Sequence, residues 1–182
     1  MIFFDKFEKL LVVVIILICI CGLGASGFFN ELLADSQNPA EYHVSNSTFK
    51  IYNWWTFVNN SSTNNSVKFT NYYSAYLGEP LYEVSLILTQ YNNTHEFELK
   101  SYNSSNLSNN YSVKTENRNI QGIEVKFVNS TNINTNHTYL YYYFQKNGKY
   151  YCIYVTGENY SVNVIHNNRI ETTVELIIST IN

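Results

Sequence analysis

The stretch "HTYLYYYFQKNGKYYCIYVTG", His137 to Gly157, decides the fold predicted for this chain. At its centre is Asn147-Gly148, and a two-residue type I′ turn needs positive φ at both positions, which Asn and Gly tolerate. Runs of aromatic and β-branched residues flank this dipeptide on both sides, so the stretch predicts an antiparallel hairpin. The turn also fixes which residues face each other across the two strands.

That register divides the tyrosines of the hairpin between two faces of the sheet. The face predicted to be core carries Leu140, Tyr142, Phe144, Tyr151, Ile153 and Val155. The other face carries the candidate binding residues, which are Tyr139, Tyr141, Tyr143, Tyr150 and Tyr154. Tyrosine suits recognition because it offers a large amphipathic surface at a low entropy cost, but a half-exposed sheet face also uses tyrosine simply for packing. Both interpretations stay open at this point.

Other segments predict further strands and a closing helix. Alternation of apolar and polar residues in "EVSLILTQ" and "GIEVKFV" is typical of half-buried strands, and "TFKIY" and "VKF" are shorter candidates. From Asn168 onward, with Glu171 placed as in a capping box, apolar residues recur at helical spacing: Ile170, Val174, Ile177, Ile178 and Ile181. We expect this helix to bury its stripe on the apolar face of the hairpin. The segment Thr94 to Tyr102 fits either a strand or a short helix capped by Thr94. The predicted fold class is α+β, an antiparallel sheet packed by a C-terminal helix.

The N-terminus predicts an export signal. From Leu10 to Phe29 no residue is charged, and this run is long enough to cross a bilayer as a helix. We therefore assign 1–29 as a signal anchor or transmembrane helix, 30–42 as a stalk and 43–182 as an extracellular α+β domain. Lys6 and Lys9 precede the span, which places the N-terminus inside the cell and the domain outside. The expected location is the cell membrane, with one span; secretion after signal cleavage is the alternative.

Triplets of the form Asn-x-Ser/Thr, which accept N-glycans on exported surfaces, are frequent in the chain. The candidate glycosylation sites are Asn46, Asn59, Asn60, Asn64, Asn92, Asn103, Asn106, Asn110, Asn129, Asn136 and Asn159. Most of them fall in three polar tracts, 58–66, 102–111 and 129–138, that we interpret as loops. Composition rich in Asn, Ser and Thr also produces such triplets by chance, so their use is a hypothesis.

Composition argues against several classes of function. The net charge is −3 and the basic residues form no stripe, so nucleic acid is not an expected partner. Neither a zinc motif nor a phosphate-binding loop is found, so no metal, no cofactor and no catalytic residue is predicted. Cys152 lies in the middle of a strand and is expected to be an inert thiol. Paired carboxylates for a glycosidase could come from Glu96, Glu98, Glu124 or Glu158, but these glutamates equally fit a solvated strand face.

The order of the elements resembles the PsbP/Mog1-type fold. The resemblance is carried by "FKIYNWW", "NIQGIEV", the hairpin "YYYFQKNGKYYCIYV" and the closing "RIETTVELIIST", and it covers about Thr48 to Asn182. It implies an α+β sandwich in which Thr94 to Tyr102 is helical. Functions in that fold range from photosystem assembly to small-GTPase binding, and no residue that carries them can be transferred. The bias toward Asn, Ile and Tyr, together with the export signal, resembles small archaeal envelope proteins.

Three hypotheses of function follow. The first is a membrane-anchored or secreted cell-envelope glycoprotein with a non-catalytic domain that binds an envelope protein or a saccharide. The second is a structural or assembly factor of a membrane complex, held at the membrane by its N-terminal helix. The third is an extracellular hydrolase, which would need two facing carboxylates about 5–9 Å apart.

Overall fold

The computed structural model describes residues 39–73, 82–157 and 168–182. The predicted N-terminal helix, most of the predicted stalk and the candidate glycosylation site Asn159 lie outside these residues. Within them, neither helix is both long enough and apolar enough to cross a membrane. The predictions about the N-terminal segment therefore remain predictions.

The described chain forms nine strands, two α-helices and one short 3-10 helix at Asn59–Ser61. The first strands are β1 (Ala40–Val44), β2 (Ser47–Ile51), β3 (Thr56–Phe57), β4 (Ser66–Tyr73) and β5 (Tyr82–Tyr91). Helix α1 (Thr94–Ser105) follows. The remaining elements are β6 (Tyr111–Ile120), β7 (Ile123–Asn132), β8 (Thr138–Lys146), β9 (Lys149–Gly157) and helix α2 (Asn168–Thr180). The α+β class predicted from the sequence is confirmed.

Seven strands form one antiparallel sheet in the order β3-β4-β5-β9-β8-β7-β6, and β1 and β2 pair separately as a hairpin. Strands β6 to β9 are neighbours in both sequence and space. The other edge of β9 pairs with β5, which lies on the far side of α1 in the sequence. The pairing of β5 with β9 is therefore the long-range contact that joins β3, β4 and β5 to the meander of β6 to β9.

The β8–β9 hairpin has the predicted register. Leu140 faces Val155, and Lys146 faces Lys149 across the turn. Asn147 and Gly148 have φ values of 52° and 74°, which is the left-handed geometry that a type I′ turn requires. Because side chains alternate along a strand, this register sets which tyrosines share a face.

The core lies on the face predicted for it. The apolar stripe of α2 is fully buried there, against Leu140, Phe144, Ile153 and Val155 among others. The β1–β2 hairpin adds Val44, Phe49 and Ile51 to the same cluster. Two polar contacts fix α2 further: the Tyr142 hydroxyl donates to the Glu171 carboxylate over 3.1 Å, and the Lys146 ammonium donates to the Ile178 and Ser179 carbonyls of the last helical turn. A cation at a helix C-terminus also offsets the macrodipole.

Two adjacent tryptophans at the end of β2 have different roles. Trp55 is 3% exposed, and its indole N–H donates to the Thr173 hydroxyl of α2 over 3.0 Å. Trp54 is half-buried and lies flat against Tyr52, with ring centroids 4.1 Å apart. Trp55 is thus part of the core, and Trp54 lies at its rim.

The opposite face of the sheet is partly covered by α1, which settles the open assignment of Thr94 to Tyr102. The segment is helical, and it extends to Ser105. Its cap is Asn93 and not Thr94, because the Asn93 side chain accepts from the Glu96 backbone N–H over 2.9 Å. The helix implied by the family resemblance is confirmed here, and the strand alternative is wrong.

Several boundaries differ from the prediction. Ala40 to Tyr42, assigned to the stalk, belong to β1 and pair with β2. The polar tract 102–111 is helical as far as Ser105, and the tract 129–138 begins inside β7. The capping box predicted at the start of α2 placed Asn168 just before the first helical residue, but Asn168 is itself the first helical residue. The carboxylate of Glu171 contacts Arg118 and Tyr142. The parts of these stretches that are strands pair their backbones with neighbouring strands, and local composition does not reveal those partners.

Candidate binding face

The five candidate tyrosines do not form one surface. Helix α1 covers two of them through Phe97, whose ring lies 5.7 Å from that of Tyr143 and 5.2 Å from that of Tyr150. The Tyr143 hydroxyl donates to the Lys100 carbonyl of α1 over 3.2 Å, and this side chain is only 4% exposed. The Thr94 hydroxyl donates to the Tyr150 hydroxyl over 2.8 Å. Tyr143 and Tyr150 are therefore used for packing the helix, which corrects their assignment as free binding residues.

The other three, Tyr139, Tyr141 and Tyr154, form what we call the tyrosine row. The ring planes of Tyr139 and Tyr154 are 6° apart with centroids at 6.4 Å, and those of Tyr141 and Tyr154 are 28° apart at 4.8 Å. Each of the three side chains is half-buried. The ring contacts that α1 makes on this face are to Tyr91, Tyr143 and Tyr150, so the row lies beyond them.

The tyrosine row is electrically neutral. Burial raises the pKa of Tyr139, Tyr141 and Tyr154 above the ordinary value for a phenol. The neighbouring phenols raise the pKa of Tyr141 further, because two phenolates side by side would repel. All three hydroxyls therefore stay protonated at physiological pH and can both donate and accept hydrogen bonds.

Cys152 lies on this same face, between Tyr150 and Tyr154 along β9, and is 4% exposed. Burial raises the pKa of its thiol to about 12. Hydrogen bonds from Tyr143 and Tyr91 favour the thiolate and act in the opposite direction, but burial is the larger effect. A thiol that stays protonated at neutral pH is a weak nucleophile. The structure thus supports the prediction of a packing role for Cys152.

The candidate glycosylation sites that the structure describes are mostly at the surface. Exposed side chains belong to Asn46, Asn59, Asn60, Asn64, Asn92, Asn103, Asn106, Asn110 and Asn136. Asn129 is half-buried in the middle of β7, so it is the least accessible of the described set. The Asn46 and Asn92 side chains accept hydrogen bonds through Oδ1, which leaves free the amide nitrogen that a glycan would use.

The described carboxylates show one close constellation, and it does not have the form that hydrolysis needs. The Arg118 guanidinium donates to Glu116 over 2.6 Å and to Glu171 over 3.3 Å, and it lies 3.5 Å above the Phe127 ring. The hydrogen bond from Arg118 lowers the pKa of Glu116, whereas a general acid needs a raised one. Arg118 therefore acts as a clasp between β6 and α2. Nowhere in residues 39–73, 82–157 and 168–182 do three potential metal-ligating side chains converge.

No protein-family model matches this chain, and no curated protein matches it. Among solved structures, the chain is similar to the solution structure of cyanobacterial PsbP (CyanoP) from Synechocystis sp. PCC 6803. The identity is 13%, the TM-score is 0.38, and the match covers 79% of this chain and 91% of that one. The PsbP-like resemblance is thereby confirmed as a weak likeness of fold, and no function is inferred from it.

Proposed function

We propose that this chain is a cell-envelope glycoprotein, membrane-anchored or secreted, whose α+β domain is a non-catalytic binding module. The tyrosine row is the surface that contacts its partner, which is another protein of the envelope. The observation that carries this proposal is the division of the tyrosine face: α1 uses Tyr143 and Tyr150 for packing, while the row remains half-exposed beside them.

The geometry of the row favours a protein partner. Its rings contact one another, so the side chains are already ordered and lose little rotamer entropy on binding. Their neutral hydroxyls can be desolvated at lower cost than charges. Tyrosine is among the residues that dominate protein interfaces as partly buried anchors surrounded by a polar rim. A saccharide would be held mainly by open ring faces, and these rings lie partly against each other.

Two features support the proposed localisation of the protein in the cell envelope. The uncharged run from Leu10 to Phe29 has the length of a membrane-spanning helix. Nine of the candidate Asn side chains are exposed in the described part of the chain, where a glycan would meet no core residue. The hydrolase alternative finds no support in the Arg118 clasp, because the carboxylates of Glu116 and Glu171 are both paired with the Arg118 guanidinium.

The experiment that tests the binding surface is affinity capture from detergent-solubilised envelopes of the producing organism, with the immobilised full-length chain as bait. The test variant is Tyr141→Ala with Tyr154→Ala, and the matched control is Tyr102→Ala, which removes a 64% exposed tyrosine from α1. We expect a protein retained by the wild type and the control to be lost from the test variant. For the purified partner, loss of one anchor of about 2 kcal/mol weakens binding about 30-fold.

Two outcomes would overturn this assignment. Equal retention by all three baits means that the row only packs the sheet, provided that circular dichroism shows the test variant folded. Retention of polysaccharide alone, detected by sugar analysis of the eluate, assigns the row to a saccharide. A milder variant, Tyr139→Phe with Tyr154→Phe, removes only hydroxyls and separates hydrogen bonding from ring contact.

Glycosylation and membrane anchoring are tested separately from partner binding. Intact-mass analysis of the native protein detects glycans, and a mass equal to that of the bare chain refutes the glycoprotein assignment. Alkaline carbonate releases peripheral proteins but not spanning ones, so we expect the anchored form to stay in the pellet. Release of the full-length chain would contradict anchoring, whereas a shortened chain in the medium would support secretion.

A further inference from the structure

A concave site lies on the same sheet face as the tyrosine row, at the end where the β6–β7 and β8–β9 turns lie. It is an open cleft of about 570 Å³ beside Phe97 of α1. The turn residues Gly122, Asn147 and Gly148 border it. Its volume is within the range typical of small-ligand sites.

The lining of the cleft follows from strand register. Asn117, Lys126 and Tyr143 face one another on β6, β7 and β8 and form one row across the sheet. Glu124 is two residues from Lys126 on β7, and Gln145 is two residues from Tyr143 on β8, so they point to the same face. The floor is therefore polar toward the turns and aromatic toward α1, where Tyr143 meets Phe97.

Most of the polar groups in this cleft are available to a ligand. Asn117, Glu124 and Gln145 are exposed, and no described residue forms a hydrogen bond or an ion pair with their side chains. Lys126 is half-buried, and its ammonium donates to the hydroxyl of Ser101 over 2.9 Å and to its carbonyl over 3.4 Å. An ammonium has three protons, so a third donor remains. Two amides, one carboxylate and one ammonium thus supply both donors and acceptors within one small space.

We propose that this cleft binds a single neutral sugar residue. The two amides can each donate to one ring hydroxyl and accept from another, and the Glu124 carboxylate and Lys126 ammonium extend the same pattern. These two charges are of opposite sign and offset each other. Lys146 also lines the cleft, but its ammonium is bonded to the Ile178 and Ser179 carbonyls of α2. The half-buried ring of Phe97 gives the apolar wall against which the C–H face of a sugar packs. This site is independent of the partner-binding role proposed for the tyrosine row.

Saturation-transfer NMR with unlabelled sugar tests this proposal, because the method detects weak binding to an unlabelled protein. The full-length chain, in a detergent without a sugar headgroup, is mixed in turn with glucose, galactose, mannose and N-acetylglucosamine. We expect ring-proton signals from at least one of these four sugars. The double variant Asn117→Ala with Gln145→Ala should weaken that binding about tenfold or more, since four hydrogen bonds are lost. Absence of signal for all four sugars would overturn the proposal.

Matched variants decide where a detected sugar binds. Glu124→Gln keeps the shape of the cleft and removes its negative charge, and Glu175→Gln makes the same change at an exposed position of α2. We expect Glu124→Gln to weaken sugar binding and Glu175→Gln to leave it unchanged. Tyr141→Ala with Tyr154→Ala should leave the sugar signal unchanged. If that variant abolishes the signal while the Asn117 and Gln145 variant retains it, the sugar binds the tyrosine row and the cleft assignment is wrong.

Discussion

The apolar contact of helix α1 with the sheet is made mainly by one side chain, and Phe97→Ala should loosen the helix. The Phe97 ring contacts those of Tyr91, Tyr143 and Tyr150, with centroids 5.2–5.9 Å apart. The other large apolar residues of α1, Leu99 and Tyr102, are 49% and 64% exposed and bury little against the sheet. An isolated helix of this length is marginal in water, so its order depends on that contact.

The size of the effect follows from burial. Truncation of a fully buried Phe to Ala costs about 3–5 kcal/mol, and Phe97 is half-buried, so we expect a loss of about 2 kcal/mol. This loss should fall on the local opening of α1, because the larger core on the other face contains neither Phe97 nor any residue of the helix. A loss of about 2 kcal/mol speeds amide exchange about 30-fold where local opening controls it.

Hydrogen exchange read by mass spectrometry on the full-length chain measures this directly. Peptides that cover Thr94–Ser105 should exchange about 30-fold faster in Phe97→Ala, while peptides from β8, β9 and α2 keep their wild-type rates. Leu99→Ala is the matched control, because it removes a similar apolar group from the exposed side of the same helix. If every peptide accelerates together, α1 unfolds only with the whole domain and the argument from two separate cores is refuted.

Trp55→Phe should lower the free energy of unfolding, measured in urea, by about 1–2 kcal/mol, because it removes the buried hydrogen bond to Thr173. Trp54→Phe removes no such hydrogen bond and should lower it by less. A larger loss from Trp54→Phe than from Trp55→Phe would contradict this. Gln121 has φ of 52° before a glycine, so Gln121→Asn should stabilise by about 0.5–1 kcal/mol, and a lower melting temperature would contradict this. Cys152 has its pKa raised to about 12, so the unfolded chain releases this proton first and stability falls as pH rises above the ordinary thiol value. Between pH 8 and pH 10 the loss should be about 2 kcal/mol larger in the wild type than in Cys152→Ala, and equal losses would refute the assigned burial.

The β8–β9 hairpin and its register were predictable because every determinant is local. Asn147-Gly148 selects one turn type, and the turn dictates each cross-strand pair that follows. Helix α2 was predictable for a similar reason, since its apolar stripe has one period and one buried side. In both cases a short stretch of sequence contains the whole signal.

Strand β6 and the coverage of the tyrosine face were not predictable from the sequence in this way. The β6 sequence is polar because β6 is an edge strand, so its alternation is weak, and its turn uses Gln121 where Asn is usual. Helix α1 buries only one large apolar residue, so its sequence lacks an amphipathic stripe, although Asn93 before Glu96 is a capping signal that could have been used. The separation of Tyr143 from Tyr141 depends on where α1 packs, which is a tertiary contact.

The pairing of β5 with β9 has a consequence for the order in which the domain assembles. Strand β5 leaves the ribosome, or emerges from an export channel, well before β9 does, and until then one whole edge of β5 has no partner. The same strand carries Val84, Leu86 and Leu88 on one face, all completely buried in the finished sheet. During this interval the growing chain presents an adhesive strand to other unfolded chains. We therefore expect β5 to stay unprotected on that edge until β9 has been synthesised and pairs with it.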